Sequence, residues 1–81
     1  MMEDLRRPDR IVGTKQVLKA IACGSLKRVY IAKDVDAFLH SRLTEACEKA
    51  KVEYVWVESM KNLGTACGID VGAACAGIPA D

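Results

Sequence analysis

The chain has one histidine, one tryptophan, two prolines and four cysteines, with no C-x-x-C pair among the cysteines. Cys23, Cys47, Cys67 and Cys75 are widely spaced, and His40 has no cysteine near enough to complete a zinc-ligand pattern, so no metal is expected. Each cysteine sits among apolar or small residues, the setting of buried or half-buried thiols in a reducing compartment. No apolar run approaches the roughly 20 residues that span a bilayer, and the first ten residues are charged where a signal peptide would be apolar. A cytoplasmic protein without a membrane partner is expected. G-x-G-x-x-G, P-loop and triad patterns are missing as well, which leaves no basis for an enzyme or a cofactor. Internal repeats, low-complexity tracts and linkers are also absent, so residues 1–81 form a single domain.

What is present is an ordinary globular balance, 51% apolar and 28% charged residues with a net charge of +1. So small a net charge excludes a polycation that coats nucleic acid nonspecifically. The distribution says more: residues 1–33 hold eight Lys or Arg against three Asp or Glu, and residues 34–81 hold four against eight. The positive part contains Val12-Gly13-Thr14-Lys15-Gln16, where an apolar run stops at a glycine and a helix begins with a polar, cationic turn. Thr14 is expected to be the N-cap, and Gly13 to permit a backbone conformation that a side chain would forbid. Lys15, Gln16 and Lys19 share one helix face beside the positive end of the dipole, which suits an anion. Their amide and ammonium groups favour nucleic acid over bare phosphate, because base edges call for such donors and acceptors.

Along the chain, residues 3–8 read as a short helix and Ile11–Gly13 as a brief strand. A first helix over 14–23 buries Val17, Leu18, Ile21 and Ala22, with Gly24 as a left-handed stop. Val29–Ala32 is a strand covered on both faces. Asp36 caps a longer helix with Leu39, Leu43, Ala46, Cys47 and Ala50 inward, and Tyr54–Val57 is the third strand. Ser59 caps a helix with Met60, Leu63, Ala66 and Cys67 inward and Gly68 as its stop, and a fourth strand runs from Gly72 to Ile78, ending at Pro79. This alternation predicts an α/β fold, a three-layer α/β/α sandwich around a four-stranded mixed sheet. The loop Gly68-Ile69-Asp70-Val71-Gly72 sets two β-branched residues between glycines; Ile69 and Val71 are either tucked into the core or offered to a partner.

Val12-Gly13-Thr14-Lys15-Gln16, Ala32-Lys33-Asp34, Glu58-Ser59-Met60-Lys61, Leu63-Gly64 and Gly68-Ile69-Asp70-Val71, in that order, resemble the kink-turn RNA-binding ribosomal protein family. These are the large-subunit proteins seven-Ae and thirty-e, and most of all their short stand-alone bacterial members. The resemblance covers residues 9–78. It implies a noncatalytic protein that binds RNA at a sharp bend, formed by a bulge followed by tandem sheared G·A pairs, in ribosomal or another structured RNA. By match to the family motif, Gly13, Thr14, Lys15, Gln16 and Lys19 form the face against those pairs and the adjoining phosphates, Lys33 lies near the RNA backbone, and Ile69, Asp70 and Val71 cover the extruded bulge nucleotide. Lys15 and Gln16 stand where archaeal and eukaryotic members commonly carry an Asn-Glu pair. The Gln16 amide can both accept and donate, and Lys15 can donate to guanine O6 and N7, so readout can survive the change. The expected partner is structured RNA, not DNA, bound by a monomer. The alternative is a small protein-interaction module that docks through the Ile69–Val71 loop.

Overall fold

The computed structural model describes residues 2–81, built in the order of a 3-10 turn (Met2–Arg6), β1 (Ile11–Val12), α1 (Thr14–Ala22), β2 (Leu26–Ala32), α2 (Ala37–Ala50), β3 (Glu53–Val57), α3 (Met60–Cys67) and β4 (Cys75–Pro79). The four strands form one mixed sheet in the order β1-β4-β2-β3. β2 and β3 are parallel, with Val29 opposite Tyr54 and Ala32 opposite Val57. β4 runs antiparallel to both β2 and β1, with Cys75 opposite Ile31 and Gly77 opposite Ile11.

The sandwich follows from alternation along β2. Val29 and Ile31 point to one face, where α1 and α2 supply Val17, Ile21, Leu43 and Cys47. Tyr30 and Ala32 point to the other, against Leu5 of the N-terminal turn and Leu63 and Cys67 of α3. Both faces are covered, so β2 is nearly continuously apolar towards its end, as a central strand must be. The N-terminal turn is held to the sheet by Asp4, which accepts from the Tyr30 hydroxyl (2.9 Å) and pairs with Arg28 (2.6 Å).

The expected three-layer α/β/α architecture with a four-stranded mixed sheet is the observed one, and its details depart from expectation at several points. Thr14 is the first residue of α1, and the N-cap is Gly13 at φ 109°, with no side-chain cap bond. α1 ends at Ala22, one residue early, as the Gly24 amide closes back on the Ile21 carbonyl (3.0 Å) and Gly24 turns left-handed at φ 70°. β2 begins earlier than expected, at Leu26, and β4 later, at Cys75. Met60 is exposed, and the buried positions of α3 are Leu63, Gly64 and Cys67. Cys23 is exposed, whereas the other three thiols are buried. No helix among the described residues is long and apolar enough to cross a membrane.

Candidate nucleic-acid interface

The sheet topology decides where the functional residues go. β1, β2 and β3 all run in one direction and each is followed by a helix, so α1, α2 and α3 all begin at the same end of the sheet, where antiparallel β4 also starts. Three backbone bonds knit that end together: Gly13 N–H to the Cys75 carbonyl (3.1 Å), Ala32 N–H to the Ala74 carbonyl (3.0 Å) and Lys33 N–H to the Val57 carbonyl (2.8 Å).

Every helix start carries unpaired amide donors and a partial positive charge, so three together concentrate both. Two of the three are capped from within the protein. Asp36 accepts from the Leu39 amide (2.9 Å) at α2, and at α3 Ser59 accepts from Asn62 (3.0 Å) while Asp34 accepts from Met60 (2.8 Å). α1 is different: Gly13 has no side chain to offer, and the first helical bond runs from Val17 N–H to the Gly13 carbonyl (2.9 Å). Its first-turn amides are therefore left for an outside acceptor. The Thr14 hydroxyl turns inward to the thiol of Cys75, whose pKa burial pushes up to about 11 against that hydrogen bond. The space where a Gly13 side chain would stand is open, so a ligand can approach the backbone there.

Lys15, Gln16 and Lys19 are all exposed. Lys19 lies one turn beyond Lys15, about 6 Å along the axis. Gln16 and Lys19 line a shallow groove along the β1 edge together with Arg10 and Ser25. Arg10 was not singled out by the sequence; its Nη1 donates to the Arg7 carbonyl (3.0 Å), and its buried Nε has no hydrogen-bond partner among the described residues. The only signal that pointed towards it was the surplus of cations in residues 1–33. Lys33, just past β2, is exposed and pairs loosely with Glu58 (3.7 Å).

The 68–72 loop resolves the alternatives for its two apolar residues in opposite ways. Ile69 packs against the core beside α3, while Val71 is 70% exposed and Asp70 is solvated. The loop is pinned to α3 by Ile69 N–H to the Gly64 carbonyl and Ala73 N–H to the Met60 carbonyl, both 3.0 Å. A methyl group on Gly64 would run into the Val71 carbonyl, so a glycine is what lets the loop lie this close. Met60, against Gly72 of the same loop, is a second exposed apolar side chain there. Expected inside, Met60 instead widens the apolar shelf, because a first-turn helix position packed under a loop has no core to reach.

The start of α1, Lys33 and the Ile69–Val71 loop thus share one end of the molecule, with Lys19 set back along the flank. No group of three or more His, Cys, Asp or Glu able to hold a metal occurs among the described residues. Burial pushes the Cys47 thiol, like that of Cys75, up to about 11, which keeps both protonated and unreactive near neutral pH.

Comparison with known proteins gives a consistent result. Residues 3–80 match the ribosomal protein L7Ae/L30e/S12e/Gadd45 family. The chain is 48% identical over 69 residues to RNA-binding protein TTE2299 of Caldanaerobacter subterraneus subsp. tengcongensis, covering 85% of this chain and 84% of that protein. It is 41% identical over 68 residues to RNA-binding protein YbxF of Geobacillus stearothermophilus, covering 84% of this chain and 83% of that protein. Among solved structures, the Giardia lamblia 15.5kD RNA binding protein superposes with a TM-score of 0.85 at 30% identity, covering 99% of this chain and 71% of that one. A match over residues 3–80, with relatives at 41–48% identity along most of the chain, means that the chain belongs to the ribosomal protein L7Ae/L30e/S12e/Gadd45 family.

Proposed function

We propose that this protein is a noncatalytic RNA-binding protein that recognises and stabilises kink-turns, in which tandem sheared G·A pairs adjoin a bulge, in ribosomal or other structured RNA. The observation that carries this reading is the uncapped start of α1, with Lys15 and Gln16 beside it, at the same end of the sheet as the exposed Val71. Open amides and a dipole end attract phosphate, and two side chains with donors in the first turn can reach base edges. RNA-binding relatives at 41–48% identity support the same ligand class.

In this reading, Gly13 and Thr14 let the RNA close on the α1 backbone, Lys15 and Gln16 meet the G·A pairs, and Lys19 and Lys33 meet phosphates. The shelf made by Ile69, Asp70 and Val71, extended by Met60, receives the extruded nucleotide. The protein performs no chemistry. By binding the bent RNA more tightly than the extended form, it shifts the population towards the bend by the difference in affinity. A protein-docking role for the loop has less behind it, since Ile69 is spent on the core and Val71 with Met60 makes a small apolar target.

The experiment is a titration of labelled kink-turn RNA against a straight duplex of equal length at equal salt. A clear preference for the kink-turn is expected. Equal affinities overturn the proposal, because charge attraction does not tell the two apart.

A further inference from the structure

The large apolar side chains exposed among the described residues are Phe38 (74%), Trp56 (41%), Met60 (36%) and Val71 (70%). Topology sends all of them to the end where the helices begin: Phe38 is in the first turn of α2, Trp56 is one residue before the end of β3, Met60 opens α3 and Val71 precedes β4. Apolar exposure gathered at one end marks a contact surface. Met60 and Val71 belong to the shelf already described. Trp56 does not.

Trp56 lies on β3, an edge strand, and on the sheet face covered by α2. Its indole stacks on the His40 imidazole of α2, with ring centroids 4.4 Å apart and planes 7° from parallel. Tyr54 leans against the same indole at 5.6 Å and 34°, and its hydroxyl is fixed by donation to Glu48 (2.9 Å). The indole is thus held by two neighbouring rings and is still 41% exposed, which suits a stacking platform.

Resting on the RNA-binding reading above, we propose that the Trp56–His40 platform takes a second unpaired nucleobase of the bound RNA, distinct from the nucleotide received by the Ile69–Val71 loop. A flat π surface suits a planar base, whichever base it is. The free edge of β3 is bracketed by Glu53 and Glu58, and charges at both ends discourage an added protein strand. The carboxylates around the platform have partners within the protein: Asp34 and Asp36 accept from helix amides, Glu48 from the Tyr54 hydroxyl, Glu53 shares Arg28 with Asp4, and Glu58 lies near Lys33. Lys33 donates its amide to Val57, the residue after Trp56, and its exposed ammonium is held only loosely by Glu58 (3.7 Å), so it can turn to the phosphate that links the two nucleotides.

Trp56 is the only tryptophan in the chain, so its emission reports on this site alone. Two kink-turn RNAs are compared, one with a single-nucleotide bulge and one with a three-nucleotide bulge, with affinity measured independently by titrating labelled RNA. The longer bulge is expected to quench the Trp56 emission of the wild-type protein by more than half and the shorter one far less. Trp56→Ala is expected to weaken binding of the longer bulge about ten-fold, the size of one base–aromatic stack, and of the shorter bulge little, with Trp56→Tyr retaining most of the affinity. If the longer bulge binds with unchanged emission and Trp56→Ala does not alter its affinity, the proposal is overturned, the kink-turn reading stands, and the platform is left for a protein partner. If neither RNA binds, the RNA reading fails and this proposal fails with it.

Discussion

The amide of Gly13 donates to the carbonyl of Cys75 at 3.1 Å, and this one bond fastens the start of α1 to the start of β4. Through it, a helix turn with open donors and a loop with an exposed valine, more than fifty residues apart in the chain, become parts of one surface. Gly13 holds φ 109°, a conformation that a residue with a side chain adopts only under strain. Gly13→Ala should therefore cost about 1 kcal/mol or more in stability and lower kink-turn affinity beyond what the stability loss explains. Urea denaturation and RNA titration on the same variant measure both effects; unchanged stability would show that the turn can relax.

Lys15 and Gln16 should differ from Lys19 in the kind of loss they cause. Lys15→Ala and Gln16→Ala are each expected to weaken kink-turn binding by roughly 1–3 kcal/mol if they read base edges. Lys19→Ala should instead lower the slope of log affinity against log salt by about one unit, as the loss of a phosphate contact does. Titrations over a salt series separate the two, and uniform salt-sensitive behaviour in all three variants would remove the base-reading assignment.

Gly64 is buried in α3 directly under the Val71 carbonyl. Gly64→Ala gains helix propensity but must push the loop away, and overpacking of this kind costs about 1–3 kcal/mol. The expected result is a lower denaturation midpoint together with weaker binding of RNA that carries an extruded nucleotide. A variant as stable as the wild type would mean that the loop shifts without penalty.

The Tyr30 hydroxyl is buried and bonded to Asp4, and burial foremost raises its pKa from 10.0 to about 12. The folded state thus holds this proton more tightly than the unfolded chain does. Its contribution is fully present below pH 10 and is lost as pH rises from about 10 to 12. The denaturation midpoint should fall across that window, and Tyr30→Phe, which cannot ionise, should flatten the fall. Burial raises Cys47 and Cys75 from 9.0 to about 11 with the same sign, so a decline that begins near pH 9 belongs to the thiols.

Much of the architecture was legible in the sequence because its signals are local. Asp36 and Ser59 cap the helices they were expected to cap, since a cap needs only an amide three residues on. Gly24 and Gly68 turn left-handed where each helix stops. The alternation of strand and helix over short intervals was enough to imply three layers and a mixed sheet.

Tertiary contacts decided what periodicity cannot carry. Asp34 caps α3 across 26 residues, Met60 turns outward under a loop that folds back on its helix, and Thr14 gives up the cap to face Cys75. The first depends on the parallel register of β2 and β3 and the other two on where β4 inserts between β1 and β2, and no pattern within a few residues encodes either register. By itself the sequence determined which segments are strands and helices, and which side chains carry donors and charge. Their meeting at one end of the sheet, with α1 left open and Trp56 stacked on His40, was set by strand order, because long-range pairing and burial on two faces select a single arrangement that local preference leaves undetermined.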